Sequence, residues 1–404
     1  MAGDLLPLVL FAATYLFLAL GRLPGLAIDR TGFALLGALA FLATGAITLD
    51  QAKLAVDAPT LALLFAMMLL SAQYQLCGLY GAISRRLARV ASPRLLLGGT
   101  IAVCALLAAV LTNDVVCFAL TPLLAAALAR TRLDPLPYLL AIAIATNLGS
   151  ALTPIGNPQN ILIAQHLALP FLPFVAFCAL PVALSLGLAY LLLARRVRTL
   201  PERAGAATPG IEEIPLDRWQ AGKAIALTVA AIALFLTPFP AYLTAALVAG
   251  VVLTSRRMHT RTMLGLVDWQ MLALFVALFV VTRGLELSGW TTAAARALQQ
   301  AGMPLGEGAV LVPAVALLGT LVGNVPAVML LLRFLPGDAE VGYALALAST
   351  FAGNAVLVGS IANLIVVEQA ARAGIPIGFR DHLRVGLPIT LASLAVAALA
   401  LALL

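Results

Sequence analysis

A polar segment rich in Gly and Pro interrupts one of the most apolar parts of the chain. Residues 147–160 read NLGSALTPIGNPQN, between YLLAIAIA and ILIA. Amide and hydroxyl groups exchange hydrogen bonds with small polar solutes, whereas Gly and Pro interrupt a helix and free its backbone groups. In a membrane such a break is tolerated only where protein or a water-filled cavity faces it. The segment therefore indicates a solute or ion site within a broken membrane helix.

Three further polar interruptions have the same character. TND at 112–114 divides the apolar stretch 95–129, GNVP at 323–326 divides 309–335, and GSIAN at 359–363 lies within 341–371. The arms of the first two stretches, about 12–17 residues each, are short for a hydrocarbon core of about 30 Å. We therefore expect two re-entrant hairpins, at 95–129 and 309–335, and two broken helices, at 137–166 and 341–371.

The composition indicates a membrane protein. Of 404 residues, 63% are hydrophobic and 10% are charged, against roughly half and a quarter in soluble domains. The apolar runs are long and continuous, which excludes a transmembrane β-barrel with segments of about ten alternating residues. The net charge of +7 fits basic loops at a membrane surface, so the bilayer and not nucleic acid is the expected partner. We expect an all-α polytopic protein.

The positive charges predict the orientation. With the N-terminus outside, the inner loops hold all but four of the 24 Lys and Arg residues, a bias typical of cytoplasmic loops. Both termini are then periplasmic, and the expected location is a bacterial inner membrane. The predicted spanning helices lie near 5–20, 33–49, 59–76, 137–166, 174–193, 223–238, 240–254, 268–284, 341–371 and 385–403.

The two halves of the sequence resemble each other. TLALLFAMMLLSAQYQLCGLY at 60–80 parallels MLALFVALFVVTRGLELSGW at 271–290, and TPIGNPQNILIA parallels VLVGSIANLIVV. Each half supplies five spans and one hairpin, and because five is odd the second copy enters the membrane inverted, as in secondary transporters. We expect repeats at 1–193 and 223–404, joined by a cytoplasmic linker at 194–222.

Two smaller features complete the pattern. Asp57 and Asp268 occupy matching positions in the repeats, and we expect them to mark helix ends at the interface. GAISRRLARVAS at 81–92 is basic and amphipathic, which predicts a helix lying on the inner membrane face.

The four interruptions predict one polar site near the middle of the membrane. A helix that stops near Gly149, continues as extended chain and restarts at Asn157–Pro158 presents free N–H groups and a partial positive charge. We expect Asn113 with Asp114, Asn324 and Ser360 to cap the other half-helices, exposed carbonyls to bind Na⁺ or water, and no arginine at the tips. The expected substrate- and ion-binding residues are Thr112, Asn113, Asp114, Asn147, Ser150, Thr153, Asn157, Gln159, Asn160, Asn324, Thr350, Asn354, Ser360 and Asn363.

Asp114 is the acid at a hairpin tip, and acids at membrane depth are rare and usually functional. It is the candidate for the coupling proton. Asn113, Asn157 and Asn324 are candidates for a Na⁺ site. No other metal and no organic cofactor is expected. Cys117, one turn beyond Asp114, is a thiol that a soft As(III) solute could meet, although a buried structural role suits it better.

At these residues the chain resembles the ion transporter superfamily. LTNDVVCFALTPLL and NLGSALTPIGNPQNILI are most similar to arsenite/antimonite permeases, in a group that also includes Na⁺/H⁺ antiporters and divalent-anion/Na⁺ symporters. The resemblance implies a scaffold domain, a transport domain with two hairpins and two broken helices, elevator-like movement and a homodimer. The paired Ser-Asn-Thr signature of the dicarboxylate branch is absent, since the hairpins read Thr112-Asn113-Asp114 and Gly323-Asn324-Val325.

These observations favour a secondary active transporter of a small inorganic solute, arsenite, antimonite or a related oxyanion, coupled to H⁺ or Na⁺. The alternatives are a Na⁺/H⁺ antiporter and a Na⁺-coupled di- or tricarboxylate symporter. No GxxxxGK[ST] motif is present for direct use of ATP. An enzyme is not expected, because neither HExxH nor a Ser/His pair occurs at membrane depth.

Overall fold

The structure is helical throughout the part of the chain that it describes. The computed structural model describes residues 5–199 and 214–402, except for positions 22, 24, 130, 304 and 336, so the middle of the predicted linker lies outside the described residues. Within this part no β-strand occurs, and one isolated bridge joins Leu133 to Thr199. The prediction of an all-α protein is confirmed.

Ten helices form the first half of the described chain. They are α1 (Leu5–Leu20), α2 (Arg30–Ala43), α3 (Leu49–Ala55), α4 (Ala58–Leu76), α5 (Leu79–Leu87), α6 (Pro93–Val110), α7 (Asn113–Ala129), α8 (Leu136–Ser150), α9 (Pro158–His166) and α10 (Phe171–Ala194).

The second half repeats this succession helix by helix, with one added 3₁₀ turn at Leu357–Gly359. Its helices are α11 (Arg218–Phe235), α12 (Ala241–Leu253), α13 (Thr260–Leu264), α14 (Trp269–Leu287), α15 (Trp290–Gln300), α16 (Gly308–Val322), α17 (Asn324–Leu331), α18 (Ala339–Ala352), α19 (Ile361–Arg372) and α20 (Phe379–Ala402). The short helices α3, α13 and α15 were not predicted from the sequence.

The helix lengths fit a membrane protein with interrupted spans. Among the described residues, α4, α6, α10, α14 and α20 are long and apolar enough to cross a membrane, and seven apolar helices are shorter. The arms of the two predicted hairpins are less uniform than expected, because α6 has 18 residues and α17 has 8. At about 1.5 Å per residue, α17 is about 12 Å long, so it cannot cross the hydrocarbon core.

The ends of α4 and α14 have the same local chemistry. The Asp57 carboxylate accepts a hydrogen bond from the Thr60 N–H, and the Asp268 carboxylate accepts one from the Met271 N–H. Such caps satisfy N–H groups that the first helical turn leaves free, and each stabilises a helix by about 1 kcal/mol. The prediction that Asp57 and Asp268 mark helix ends is confirmed. The predicted surface helix at 81–92 is α5, which ends at Leu87.

Helix contacts are exchanged between the two halves. Helix α2 packs against α14 and α4 against α12, and in the same crossed manner α7 packs against α19 and α9 against α17. Helices α10 and α20, which occupy equivalent positions, pack against each other. Each half therefore buries part of its apolar surface against the other half.

Close packing holds the first broken helix against α6. A Cβ atom built on Gly149 would lie 2.3 Å from the Ala105 Cα, and one built on Gly156 would lie 2.3 Å from the Ser150 carbonyl oxygen. Any larger residue at either position would push backbone apart. Both glycines are therefore required where the break begins and where it turns back into α9.

Gly149→Ala should lower the stability of the protein. The added methyl group gains up to about 1 kcal/mol of helix propensity, but overpacking against backbone costs about 1–3 kcal/mol. The control is Gly187→Ala on α10, where a Cβ meets nothing within 4 Å. Thermal unfolding of the purified protein in detergent should show a lower Tm for Gly149→Ala than for wild type and an unchanged or higher Tm for Gly187→Ala. Equal Tm values for the two variants would contradict this account of the packing.

Candidate functional site

The first break closes as a series of turns. The Leu152 N–H donates to the Gly149 carbonyl at 3.1 Å, and the Gly156 N–H donates to the Thr153 carbonyl at 3.4 Å. The expectation of extended chain between the half-helices is therefore wrong. Turns are favoured over extended chain because their internal hydrogen bonds satisfy backbone groups that extended chain would leave unpaired at membrane depth.

An asparagine closes each break from the helix that follows it. Asn160 Nδ2 donates to the Ser150 carbonyl at 3.3 Å and to the Thr153 carbonyl at 3.0 Å. The equivalent groups in the second break are Asn363 Nδ2 and the carbonyls of Gly353 and Val356, at 2.8 and 3.3 Å. These carbonyls, expected to be exposed to Na⁺ or water, are therefore already used by side-chain amides.

Asn147 joins the two breaks. Its Oδ1 atom accepts hydrogen bonds from Asn113 Nδ2 at 3.0 Å and from Ser360 Oγ at 3.1 Å. Its Nδ2 atom donates to Asn354 Oδ1 at 2.9 Å and to Asn363 Oδ1 at 3.1 Å. Asn147 is 1% exposed, and these four bonds use all the hydrogen-bonding capacity of its amide. The sequence predicted that these residues act together, and the structure brings them into contact.

Thr350 occupies the position of Asn147 in the second repeat. It makes the corresponding contacts from the second break to the first. Its hydroxyl accepts from Asn157 Nδ2 at 3.2 Å and from Gln159 Nε2 at 3.3 Å, and it donates to Asn160 Oδ1 at 3.5 Å. Asn157 Nδ2 also donates to Ser150 Oγ at 2.9 Å. Each break is thus tied to the other by a residue from the end of its first half-helix.

The bonding pattern fixes how the amides are oriented. Asn363 must point its Nδ2 atom at two backbone carbonyls, so its Oδ1 atom faces Asn147. Asn147 must then turn its Nδ2 atom toward Asn363 and its Oδ1 atom toward Asn113. This leaves Asn113 Oδ1 and Asn354 Nδ2 without partners in the described part of the chain, although both are buried.

The helix starts differ from the predicted caps at three of four places. Asn157 caps α9 as predicted, because its Oδ1 atom accepts from the Asn160 N–H at 2.8 Å. Helices α7 and α17 begin at Asn113 and Asn324 themselves, so neither residue lies outside its helix as a cap. Ser360 occupies the cap position of α19, but its hydroxyl is turned to Asn147 and makes no capping bond. Bonding across the breaks outweighs local capping there.

A cavity with an empty volume of about 540 Å³ lies beside this network. We call it the first cavity; it separates Leu18 on α1 and Met271 and Leu274 on α14 from the hairpin tips and the second break. Its polar lining is Arg30, Asn113, Asp114, Gln159, Asn324 and Ser360. Asn324 Oδ1, like Asn113 Oδ1, is buried, and no described residue donates a hydrogen bond to it.

Arg30 is the functional candidate that the sequence did not reveal. It is the first residue of α2, and its Nη1 atom would lie 3.5 Å from a Cβ atom built on Gly323 at the second hairpin tip. No described residue forms an ion pair or hydrogen bond with its side chain. The expectation of no arginine at the tips is therefore wrong, because α2 places one there. The sequence repeat did contain a signal, because the second repeat has Ala241, the first residue of α12, at the position that Arg30 occupies in the first repeat.

Asp114 lies between the first cavity and another. A second cavity, with an empty volume of about 680 Å³, is lined by Met68, Gln75, Thr112, Asp114, Phe118, Asp268 and Met271 among others. The Asp114 carboxylate has no hydrogen bond or ion pair with any described residue. It is the acid that both cavities share.

The remaining predicted residues hold the site together and line neither cavity. They are Asn147, Ser150, Thr153, Asn157, Asn160, Thr350, Asn354 and Asn363. Thr153 is an example, because its hydroxyl donates to the Ala109 carbonyl and ties the break to α6.

Two side chains near the network have structural partners. Cys117 is fully buried with its thiol 3.0 Å from the Thr146 hydroxyl, so it does not face the cavities. His382, placed before the last span by the sequence, lies inside α20, with Nε2 3.0 Å from the Asn354 carbonyl oxygen.

The chain is similar in sequence to several known proteins. The Escherichia coli inner membrane protein YbiR is 31% identical to this chain over 78% of its length and 81% of the relative's. The rice silicon efflux transporter LSI3 is 28% identical over 95% of this chain and 94% of the relative. A putative transporter arsB of Dictyostelium discoideum is 33% identical over 37% of this chain and 27% of the relative.

The fold is also found in a solved structure. The Alcanivorax borkumensis YdaH transporter superposes with a TM-score of 0.61 over 98% of both chains, at 16% sequence identity. The family model described as a citrate transporter matches residues 15–342, most of the chain. The chain therefore belongs to the citrate transporter family of membrane transporters, within the ion transporter superfamily that its motifs resemble.

Proposed function

We propose that this protein is a secondary active transporter of a small inorganic hydroxy acid, of the kind formed by arsenic(III), antimony(III) or silicon, and that it couples transport to H⁺. The observation that carries the proposal is a pair of unpaired amide oxygens on two residues that line the first cavity. Among the described residues nothing donates to the buried Asn113 Oδ1 or Asn324 Oδ1, and leaving such a group unpaired costs about 1–3 kcal/mol. A bound solute that donates hydrogen bonds removes this cost.

Hydroxy acids supply the missing donors. Arsenite, antimonite and silicic acid are uncharged near neutral pH, and each carries several O–H groups that donate to amide oxygens. A fully ionised carboxylate offers chiefly acceptors, which suit Asn113 and Asn324 poorly. Because the Cys117 thiol is buried against Thr146, recognition of As(III) would rely on its hydroxyl groups. The silicon efflux relative and the arsB relative support the same solute class.

The charges of the first cavity support an uncharged solute. Arg30 contributes one positive charge and Asp114 one negative charge, so the described lining offers no net positive charge to balance a tricarboxylate. The guanidinium does favour a single anionic group. Citrate therefore remains the second candidate, because the family model carries that description and because Arg30 can bind a carboxylate.

The break carbonyls favour H⁺ over Na⁺ as the coupling ion. Na⁺ requires several oxygen ligands, and the carbonyls of Ser150, Thr153, Gly353 and Val356 already accept hydrogen bonds from Asn160 and Asn363. Asp114 has no hydrogen-bond or ion-pair partner among the described residues and can take up and release a proton as the site opens to either side. We further propose an inner-membrane location with periplasmic termini, elevator-like movement and a homodimer, as the charge bias and the family resemblance imply.

Asp114→Asn should abolish transport driven by a pH gradient. The amide keeps the shape of the carboxylate but cannot carry a proton. In proteoliposomes, arsenite movement against its gradient should fall about tenfold or more, equivalent to at least about 1.4 kcal/mol. The control is Asp50→Asn on α3, an exposed acid paired with Lys53, which should behave as wild type.

The same assay, run with arsenite, antimonite, silicic acid and citrate under separate pH and Na⁺ gradients, tests the solute and the coupling ion. Wild-type flux with citrate alone would overturn the hydroxy-acid proposal in favour of a carboxylate symporter. Flux driven only by the Na⁺ gradient, or undiminished flux in Asp114→Asn, would remove the proton role of that residue.

Asn324→Ala and Asn147→Ala should separate binding from stability. Asn324 Oδ1 has no partner among the residues that the structure describes, so its loss should weaken solute binding about tenfold, the effect of one good hydrogen bond, with little change in Tm. Asn147→Ala removes four hydrogen bonds and should lower Tm clearly, because each buried group left unpaired costs about 1–3 kcal/mol. Thermal unfolding in detergent, together with the arsenite Kd, checks both. Similar Tm losses in the two variants would mean that Asn324 is structural.

A further inference from the structure

The two repeats differ at the start of their fourth helices. In the first repeat, Asp57 is fully engaged, because one carboxylate oxygen accepts from the Thr60 N–H at 3.1 Å and the other from the Thr60 hydroxyl at 3.0 Å. In the second repeat, Asp268 caps α14 through one oxygen at 2.8 Å from the Met271 N–H. The second repeat has Met271 at the position of Thr60 and so lacks the hydroxyl group. The second oxygen of Asp268 therefore has no partner among the described residues.

The Asp268 residue that carries this unpaired oxygen lines the second cavity. Asp268 is exposed and lines the cavity together with the loop residues Gly265 and Leu266, and Asp114 is half-buried in the same lining. Asp57 lines neither the first nor the second cavity. The repeats therefore carry the same helix cap, but only the second has a carboxylate facing a cavity that reaches Asp114.

Asp114 also borders the first cavity, where the solute is proposed to bind. Asp268, Gly265 and Leu266 line the second cavity and not the first, so a proton that travels through the second cavity can reach Asp114 without crossing the first. The loop before α14 lies on the side that the charge bias predicts to be cytoplasmic. The two cavities thus offer separate approaches to one acid.

The other ionisable groups around Asp114 do not replace Asp268 on this route. Arg30 faces Asp114 from the first cavity. On the elements that pack against α7, the ionisable side chains of the described residues that lie outside both cavities include Tyr74, Arg85, Cys104, Tyr138 and Glu368. Cys117, on α7 itself, is held by Thr146.

We infer that the second cavity is the cytoplasmic path of the coupling proton and that Asp268 is the acid at its entrance. The Asp268 carboxylate takes up a proton from the cytoplasm and passes it through water in the cavity to the Asp114 carboxylate. Giving up this proton returns Asp268 to its ionised form. This inference rests on the proposed proton-coupled function and adds to it a dedicated route and a residue.

The test compares Asp268→Asn with Asp57→Asn. Asn caps a helix about as well as Asp, so both variants should keep the wild-type Tm. In proteoliposomes that contain a pH-sensitive dye and use arsenite as the solute, Asp268→Asn should slow arsenite-coupled proton movement about tenfold. Arsenite counterflow at equal pH, which needs no net proton movement, should be unchanged. Asp57→Asn should match wild type in both assays, and Asp268→Glu should restore proton movement.

The outcomes separate this inference from the proposed function. Wild-type protein that moves no hydroxy acid with protons would overturn the proposed function and this inference with it. Wild-type coupling combined with normal proton movement in Asp268→Asn would overturn the path alone. Equal losses of proton movement and counterflow, or equal effects in Asp57→Asn, would show that Asp268 serves only as a helix cap.

Discussion

The fold depends on satisfying the backbone carbonyls that each broken helix frees inside the membrane. Lipid offers these groups no hydrogen bonds, so an unsatisfied break costs several kcal/mol per group. Asn160 and Asn363 meet this demand by donating to carbonyls ten and seven residues earlier in the chain. A helix can therefore stop and restart at membrane depth, and the polar ends that result can face a solute.

Once the breaks are stable, their side chains can also form hydrogen bonds from one repeat to the other. Asn147 and Thr350 reach from one break to the other, so each half of the chain completes the bonding of its counterpart. The crossed helix contacts, α2 with α14 and α4 with α12, follow the same pattern in the surrounding helices. Rigid support of this kind holds the few unpaired groups of the first cavity in place, which is what a selective binding site requires.

The proposed chemistry comes from departures from the repeat. Asp114 corresponds to Val325, Arg30 to Ala241, and the released carboxylate of Asp268 to the fully bonded one of Asp57. Positions that match between the two repeats form the helical framework, whereas the positions that differ between them carry the charged groups. This division is expected when two copies of one fold share a single site, because a charge duplicated in both copies would place like charges close together in a medium of low dielectric constant.

The sequence alone determined the membrane class, the repeat and the positions of the breaks. These follow from local properties: long apolar runs, Gly and Pro at the interruptions, and matching residues such as Asn160 and Asn363 or Asp57 and Asp268. The carboxyl, amide and hydroxyl groups of the candidate site were also visible, since polar residues stand out in an apolar segment.

The tertiary structure alone decided which polar groups form hydrogen bonds within the fold and which remain free. Asn147 and Asn113 are the same residue type, yet Asn147 makes four side-chain hydrogen bonds whereas Asn113 Oδ1 has no partner among the described residues. The difference arises because the partners come from distant segments. Arg30 reaches the second hairpin tip although nearly 300 residues separate it from Gly323 in sequence. Sequence patterns report local preference, whereas a hydrogen-bond partner or a shared cavity depends on how distant segments pack.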